Sequence, residues 1–323
     1  MGPLGMDIKH LIERGDATRK AKDFYTAATA YAQALALDPA NSRALHGLAD
    51  AYRGAGAFAK GVEVLERYLA LKPGDAAAQA RLGDAYRKTG QLEPAADAYR
   101  RALALNSNNR FALMGLGDLH YKANRFSEAL ACWEPLLLLD PGLIQIRTMV
   151  GNIHRKALAF DKAALHFRAI LDTAPHNPYA VFGMADSLRG LGRFQESAPY
   201  WDEMLTLDPG NKQVLTRAGD CFFRLGQLAK AENLFARTLE RGYEKAVHLG
   251  LARIDRSRGC FQQAILHYRA ILDRQPQDIR TLLLVAETHR EWKGPEAARD
   301  YLQGKLRQFP DAKELARALE RLP

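Results

Sequence analysis

Prolines recur at a fixed interval along most of this 323-residue chain. The residue numbers of five of them differ by 34 or by twice 34, and after one shortened step two more again differ by 34: Pro39, Pro73, Pro141, Pro175 and Pro209, then Pro276 and Pro310. The neighbouring residues recur too, as in ALALDPAN, LALKPGD and LTLDPGN. A period of this length is typical of repeat proteins, whose cores grow linearly with the number of repeats. We therefore predict a repeat array rather than two conventional globular domains.

Each period contains two amphipathic segments separated by a short turn. Between Ala77 and Leu105, apolar residues recur three and four positions apart in both halves, which predicts two helices. The closing proline cannot continue the second helix. A glycine marks the turn inside five of the repeats, where a left-handed backbone is expected to end the first helix: Gly56, Gly90, Gly192, Gly226 and Gly259.

Small and large residues alternate in the second predicted helix. A small residue recurs at Ala27, Gly61, Ala95, Ala129, Ala163, Ser197, Ala231, Ala264 and Ala298. Four positions later stands a large one: Tyr31, Leu65, Tyr99, Trp133, Phe167, Trp201, Phe235, Tyr268 and Leu302. A small residue lets two helices approach closely while the large one fills the space beside it, so the pattern predicts tightly packed helical hairpins.

The LGDAY motif at residues 82–86, the step from alanine to an aromatic residue and the closing proline together resemble the tetratricopeptide repeat family. The resemblance implies an all-α, right-handed superhelical solenoid of helix-turn-helix units, with nine units in residues 8–311 forming one domain. The seventh unit is one residue short, so its stacking on the next unit is expected to differ. Residues 312–323 are predicted to form a C-terminal capping helix, because Leu315, Leu319 and Leu322 lie on one helical stripe.

Residues 1–7 are interpreted as a remnant of an expression vector followed by an N-terminal lead-in. A cytoplasmic location is expected. Because a signal or anchor segment could have preceded these residues, export to the periplasm or membrane anchoring stays open. The longest apolar stretches have four to six residues, such as Leu282 to Ala286, far short of the ~20 residues of a membrane span. No transmembrane segment is predicted.

The usual sequence signals of catalysis and metal binding are missing. There is no Gly-rich phosphate loop, HExxH, GxSxG or EF-hand string, so we predict no enzymatic activity, cofactor or metal. Cys132, Cys221 and Cys260 lie far apart without a CxxC spacing and are interpreted as small core residues. His120 and His154 stand where other repeats have tyrosine, and are interpreted as packing residues.

Two ladders of polar residues follow the first helices. Counted from Ile8, the ninth residues of the successive units are Asp16, Asp50, Asp84, Asp118, Asn152, Asp186, Asp220, Arg253 and Glu287. Three residues later come Arg19, Arg53, Arg87, Tyr121, Arg155, Arg189, Phe223, Arg256 and Arg290. The two positions share one helical face, which the family resemblance places on the inner, concave wall. The ladders either pair with each other to hold the repeats in register or form a polar track for a bound peptide, and both roles are compatible.

The central units interrupt the arginine ladder. Tyr121 and Phe223 replace arginine, and further aromatic and Met side chains fall on the same face, a composition typical of protein-binding hot spots. For Met114 and Phe182, packing between adjacent units is an equal alternative. The predicted partner-binding residues are Asp84, Arg87, Phe111, Met114, Asp118, Tyr121, Asn152, Arg155, Tyr179, Phe182, Asp186, Arg189, Asp220 and Phe223.

We therefore predict a non-catalytic scaffold whose concave groove binds a peptide or helix of a partner protein. The formal net charge of +9 favours a partner with acidic residues flanking apolar anchors. One alternative is a nucleic-acid-binding array, against which the ladder argues because Asp would repel phosphates. Another is self-assembly into a homo-oligomer. The sequence lacks the Lys/Asn/Arg clamp and the asparagine ladder that occur in two subtypes of the family.

Overall fold

The computed structural model describes residues 3–322, with side chains from residue 8 onward, and over that range the chain forms nineteen α-helices and no strand. The helices are α1 Pro3–Lys20, α2 Phe24–Leu37, α3 Ser42–Gly54, α4 Phe58–Leu71, α5 Ala76–Lys88, α6 Leu92–Leu105, α7 Arg110–Lys122, α8 Phe126–Leu139, α9 Ile144–Lys156, α10 Phe160–Leu171, α11 Pro178–Gly190, α12 Phe194–Leu207, α13 Lys212–Arg224, α14 Leu228–Leu239, α15 Lys245–Ser257, α16 Phe261–Leu272, α17 Ile279–Lys293, α18 Pro295–Gln308 and α19 Lys313–Glu320. None of the helices described is long and apolar enough to cross a membrane.

Helices α1 to α18 form nine successive pairs, which match the nine predicted units, and α19 follows the ninth pair. Leu315 of α19 is fully buried against Leu282 of α17 and Leu302 of α18, as expected of a helix that covers the last hairpin. The predicted fold class, an all-α repeat solenoid, is confirmed. The predicted remnant and lead-in, residues 1–7, lies partly outside the described residues, and α1 begins at Pro3, before the predicted start of the first unit at Ile8.

The helix contacts divide the chain into two compact units. The first unit ends at Val150 and contains the first four repeats with the beginning of α9, and the second unit begins at Gly151. The grouping of residues 8–311 into a single domain stays a prediction.

The turn inside the repeats has the predicted left-handed backbone. Gly56 has a φ of 72° and Gly90 a φ of 81°, and the other three predicted glycines share this conformation. In the first, fourth and fifth repeats the same turn position is occupied by Lys22, Asn124 and Leu158, with φ between 57° and 63°. The turn geometry therefore persists where the sequence lacks the glycine that marks it.

Aromatic rings from the second helices hold neighbouring first helices at close range. A Cβ atom on Gly83 of α5 would lie 2.7 Å from the ring of Tyr99, and one on Gly115 of α7 would lie 2.2 Å from it, so only glycine fits at either position. Three other rings are enclosed in the same way: Tyr31 by Gly15 and Gly47, Phe167 by Gly151 and Gly183, and Phe235 by Gly219 and Gly250. The predicted hairpin packing thus extends from each of these rings to the first helix of the next repeat.

The cysteines depart from their predicted role at one position. Cys132 and Cys221 are buried as predicted, but Cys260 is exposed and the prediction is wrong for it. Cys260 is the residue that precedes α16, and its side chain lies outside the interior of the hairpin.

Candidate functional site

The ladder residue of the second repeat, Asp50, is enclosed by arginines from three successive first helices. Its carboxylate lies 3.5 Å from Arg19 of α1, 3.5 Å from Arg53 of α3 and 3.4 Å from Arg81 of α5. Asp50 is only 8% exposed. We call these four residues the Asp50 cluster. Because its ion pairs cross two repeat boundaries, the cluster supports the interpretation that the ladder holds the repeats in register.

The second unit contains an equivalent group around Asp186. The carboxylate accepts hydrogen bonds from Arg155 at 2.6 Å, from Arg189 at 2.9 Å and from Arg217, and Asp186 is 2% exposed. We call these four residues the Asp186 cluster. Burial by itself raises the pKa of Asp186, but the charges and hydrogen bonds of Arg217 and Arg189 outweigh burial and hold that pKa below its ordinary value.

The two clusters share one spacing in the sequence. In both clusters, one arginine lies 31 residues before the aspartate, one lies three residues after it, and one lies 31 residues after it. Asp118 lies midway between the two aspartates, two repeats from each. At its three equivalent positions stand Arg87, Tyr121 and Met149. The fourth repeat therefore retains the aspartate but only one of the three guanidinium groups.

Asp118 makes no hydrogen bond or ion pair with any side chain that the structure describes. The remaining arginine of the set, Arg87, instead donates to Asp84 at 2.5 Å. Burial raises the pKa of Asp118 above its ordinary value, although the positive charges of Arg87 and Lys122 oppose the rise. Asp118 is thus a partly buried carboxylate without the partners that its two equivalents have.

A cavity of about 350 Å³ opens on the first-helix surface between α5 and α7. Phe111 stands at its edge with 81% of its surface exposed. Gly115 contributes to the wall, where Tyr99 excludes any larger side chain. The cavity brings together the predicted residues Asp84, Arg87, Phe111, Met114 and Asp118, and adds Arg53, Arg81 and Tyr99.

A second cavity, of about 510 Å³, lies on the other side of Asp118. Asp118 and Met114 also border the first cavity, so they form a wall common to both, while Tyr121 and Met149 line the second alone. The Tyr121 ring packs against Trp133, with ring centroids 5.4 Å apart. We call Asp118, Met114, Tyr121 and Met149, with the cavities on either side, the Asp118 site.

In the second unit, Phe182 packs against the Asp186 cluster rather than forming an open anchor. Its ring is edge-on to Trp201, with centroids 5.6 Å apart. The guanidinium carbons of Arg155 and Arg217 each lie 5.5 Å from the ring centroid. Phe182 is therefore partly buried, and the packing interpretation describes it better. Tyr179, in contrast, is 71% exposed.

The remaining polar residues of the predicted set in the second unit pair with one another. Asn152 accepts hydrogen bonds from Arg155 at 3.2 and 3.3 Å, and Arg189 reaches Asp220 at 3.2 Å. Phe223 is partly buried against the neighbouring hydrophobic core. These contacts continue the ladder through the second unit, and a role of these residues in partner binding stays a prediction.

Five charged, aromatic or Met residues that line the two cavities are absent from the predicted partner-binding residues: Arg53, Arg81, Tyr99, Lys122 and Met149. Arg81 and Met149 occupy the sixth position of their repeats, and the sequence identifies Arg53 only as a ladder residue. The spacing shared by the Asp50 and Asp186 clusters would have identified all three. The sequence identifies Tyr99 as a hairpin packing residue, and no signal marks its place beneath the cavity.

Family models described as TPR repeat or tetratricopeptide repeat match much of the chain, at residues 19–80, 83–124, 114–178, 148–212 and 188–254. The chain belongs to the tetratricopeptide repeat family. Members of this family generally act as scaffolds for protein–protein interaction.

Solved structures of other tetratricopeptide repeat proteins share the fold. The C-terminal part of a TPR repeat-containing protein from Cytophaga hutchinsonii has a TM-score of 0.55 at 16% identity, covering 74% of this chain and 99% of that one. YrrB, described as a TPR protein with an unusual peptide-binding site, has a TM-score of 0.52 at 18% identity, covering 59% of this chain and 99% of its own. At these identities the similarity establishes the fold alone.

A curated relative matches a short part of the sequence. The Protein CTR9 homolog of Arabidopsis thaliana is 40% identical over 75 residues, which are 23% of this chain and 7% of that protein. The chain therefore spans only a small part of that relative's length.

Proposed function

We propose that this tetratricopeptide repeat protein is a non-catalytic scaffold that binds a segment of a partner protein on the first-helix surface of the third and fourth repeats. The main support is the cavity between α5 and α7, which combines the exposed ring of Phe111 with charged groups at one opening. An exposed aromatic ring beside a preformed cavity is a typical anchor point for a protein ligand.

The cavity favours a partner that carries both apolar and acidic side chains. Phe111 and Met114 offer an apolar surface for an anchor residue. At the other wall, Arg53 keeps 57% of its side chain exposed and contacts Asp50 only at 3.5 Å, so its guanidinium can bind a carboxylate as well. The net charge of +9 adds a long-range attraction for an acidic segment.

The first unit supports the proposal better than the second. In the second unit the carboxylate of Asp186 is already paired with three arginines, and Phe182 packs against two of them. Tyr179 is the exposed aromatic residue there and would act as a secondary contact. We therefore place the main contact of the partner at the cavity beside Phe111.

The test is a selection of peptides on the intact protein from a phage-displayed library, followed by fluorescence anisotropy with each selected peptide. Phe111→Ser should weaken binding about 30-fold or more, since a truncated aromatic hot spot costs at least about 2 kcal/mol. Tyr25→Ser is the matched control, because Tyr25 is 78% exposed but belongs to a second helix. Equal affinity for the Phe111 variant, or an equal loss in the Tyr25 variant, would remove the site from this cavity.

Two further measurements distinguish the other two classes of function. A nucleic-acid-binding array would retain an RNA oligonucleotide in filter binding at low salt and lose it steeply as salt rises. Self-assembly would raise the mass measured by light scattering as the protein is concentrated, and Phe111→Ser would leave peptide binding unchanged. Either pattern would contradict the proposed role of the cavity.

A further inference from the structure

We infer that Asp118 binds an arginine side chain of the partner, which supplies the guanidinium that Asp50 and Asp186 receive from their own chain. The inference rests on the proposed function, and it specifies the chemistry of one subsite of that surface. Three observations carry it: the occupied equivalents of Asp118, the commitment of Arg87 to another carboxylate, and the apolar cavity beside Asp118.

The Asp50 and Asp186 clusters indicate what an aspartate at this position of the repeat binds. In each, an arginine of the following repeat reaches back to the aspartate: Arg81 to Asp50, and Arg217 to Asp186. For Asp118 the equivalent residue of the following repeat is Met149, whose thioether carries no charge. Asp50 and Asp186 therefore bind a guanidinium from the following repeat, whereas Asp118 has an apolar side chain at that position.

The other two positions of the set do not compensate for this loss. Tyr121 replaces the arginine three residues after the aspartate, and its ring is packed on Trp133. Arg87 corresponds to Arg155, which reaches across to Asp186 at 2.6 Å. Arg87 instead pairs with Asp84 of its own helix. Asp118 is thus left without an ion pair from any side chain in residues 8–322.

The space beside Asp118 suits an arginine rather than a small cation. The second cavity, about 510 Å³, is in the size range of small-ligand sites, and Met114, Met149 and Tyr121 provide apolar surface for the methylene stem. A planar guanidinium also packs on aromatic faces. This chain uses that contact elsewhere, since Arg155 and Arg217 both lie over the ring of Phe182.

Lys122 also lines the second cavity and adds one positive charge, but directly beside Asp118 the carboxylate itself disfavours an anionic occupant. A carboxylate placed beside Asp118 would add a second negative charge to a partly buried group whose own ionisation is already disfavoured by burial. An arginine would instead replace the lost hydration of Asp118 with charge-assisted hydrogen bonds. The partner segment would then place its arginine at Asp118 and its acidic residues toward the exposed Arg53.

The direct test is a titration with N-acetyl-L-arginine amide, followed by NMR of methyl-labelled methionines. The chain has six methionines, of which Met114 and Met149 line the site while Met184 and Met204 are buried core residues. The probe should shift the methyl signals of Met114 and Met149 and leave those of Met184 and Met204 in place. N-acetyl-L-citrulline amide, the neutral isostere, should produce no comparable shift at the same concentration.

Two variants decide whether the carboxylate is responsible. Asp118→Asn should weaken binding of the arginine probe about tenfold or more, because the charge-assisted hydrogen bonds to the carboxylate are lost. Met149→Arg should block the probe by supplying the internal guanidinium that Arg81 and Arg217 supply in their clusters. Met149→Leu is the matched control and should still bind, since it keeps the cavity apolar. Urea unfolding followed by far-UV circular dichroism verifies that each variant is folded, because Met184 and Met204 belong to the second compact unit and do not report on the first.

The inference is overturned if the citrulline probe shifts Met114 and Met149 equally, if Asp118→Asn binds as tightly as the unaltered protein, or if the arginine probe shifts neither signal. These results are distinguishable from a failure of the proposed function. Selected peptides that depend on Phe111 but tolerate replacement of arginine by citrulline would contradict the arginine subsite alone. Peptides that bind the Phe111→Ser variant as tightly as the unaltered protein would contradict the proposed function. The titration with the arginine probe would still decide separately whether Asp118 binds arginine.

Discussion

Asp118 and Asp186 occupy the same position of the repeat, yet their surroundings differ in charge. Asp186 is 2% exposed and is bound by three arginines, whereas Asp118 is partly buried between two cavities and paired with none of the side chains described. The backbone that places them is repeated, so the difference arises from two substitutions at fixed offsets, Tyr121 and Met149, and from the pairing of Arg87 with Asp84. The same ladder position therefore holds adjacent repeats together at Asp186 and is open to bind a partner at Asp118.

The contrast separates two roles that the sequence pattern left combined. A carboxylate enclosed by guanidiniums from three first helices ties adjacent repeats together, and its charge is satisfied without a ligand. A carboxylate that burial has partly dehydrated and that lacks partners gains most from binding a cation. The closed clusters account for the register of the array, and the open site accounts for a place where a partner can bind.

The largest expected effect comes from removing the charge of the closed cluster. Asp186→Asn leaves three partly buried arginines without their shared anion, so we expect it to lower the free energy of unfolding by about 3 kcal/mol. Urea unfolding followed by far-UV circular dichroism measures the change. Asp118→Asn is the control at the equivalent position, and an equal loss in both variants would mean that the two sites do not differ.

A change of intermediate size tests the close contact between Gly115 and the Tyr99 ring at the wall of the first cavity. Gly115→Ala places a Cβ atom 2.2 Å from the Tyr99 ring, so we expect a loss of about 1–3 kcal/mol in the same unfolding experiment. Gly304→Ala is the matched control, because no atom lies within 4 Å of the added Cβ in helix α18. That variant should gain up to about 1 kcal/mol through helix propensity. A neutral Gly115→Ala would contradict the close contact.

The smallest expected effect is the pH dependence of Asp118→Asn. Because folding raises the pKa of Asp118, its charge destabilises the folded state above that pKa, and the penalty disappears as pH falls below the unfolded value of 3.8. We expect the variant to be more stable at neutral pH by less than about 1 kcal/mol, and equal to the unaltered protein at low pH. Thermal unfolding across this pH range measures the difference.

The opposite sign applies to the closed cluster and sharpens the comparison. Folding lowers the pKa of Asp186, so the ionised carboxylate stabilises the folded state. The unaltered protein should therefore be more stable than Asp186→Asn above pH 3.8, and this difference in unfolding free energy should vanish as pH falls through the lowered pKa. A pH dependence of the same sign at both positions would show that Asp118 also has a cationic partner in the free protein.

Much of the fold could be predicted because its signals are local and repeated. The constant period, the glycine turns and the step from small to aromatic residues predict nine helix pairs, since each depends on backbone geometry or on packing within one hairpin. Turns without glycine, such as the one at Leu158, escaped the prediction because the neighbouring hairpins impose a backbone that the residue itself does not favour. The prediction for Cys260 was wrong because its residue type alone does not show that it lies just before helix α16, outside the packed face of the hairpin.

The candidate site was only partly predictable. The sequence by itself determined the repeat architecture, the two ladders and the residues that face alongside them, because helical periodicity assigns side chains to faces. Only the tertiary structure decided which ladder residues pair across repeats, that Phe182 is packed while Phe111 is exposed, and that Asp118 is left open between two cavities. Those outcomes depend on where side chains of adjacent repeats meet, which is set by the packing of one hairpin on the next.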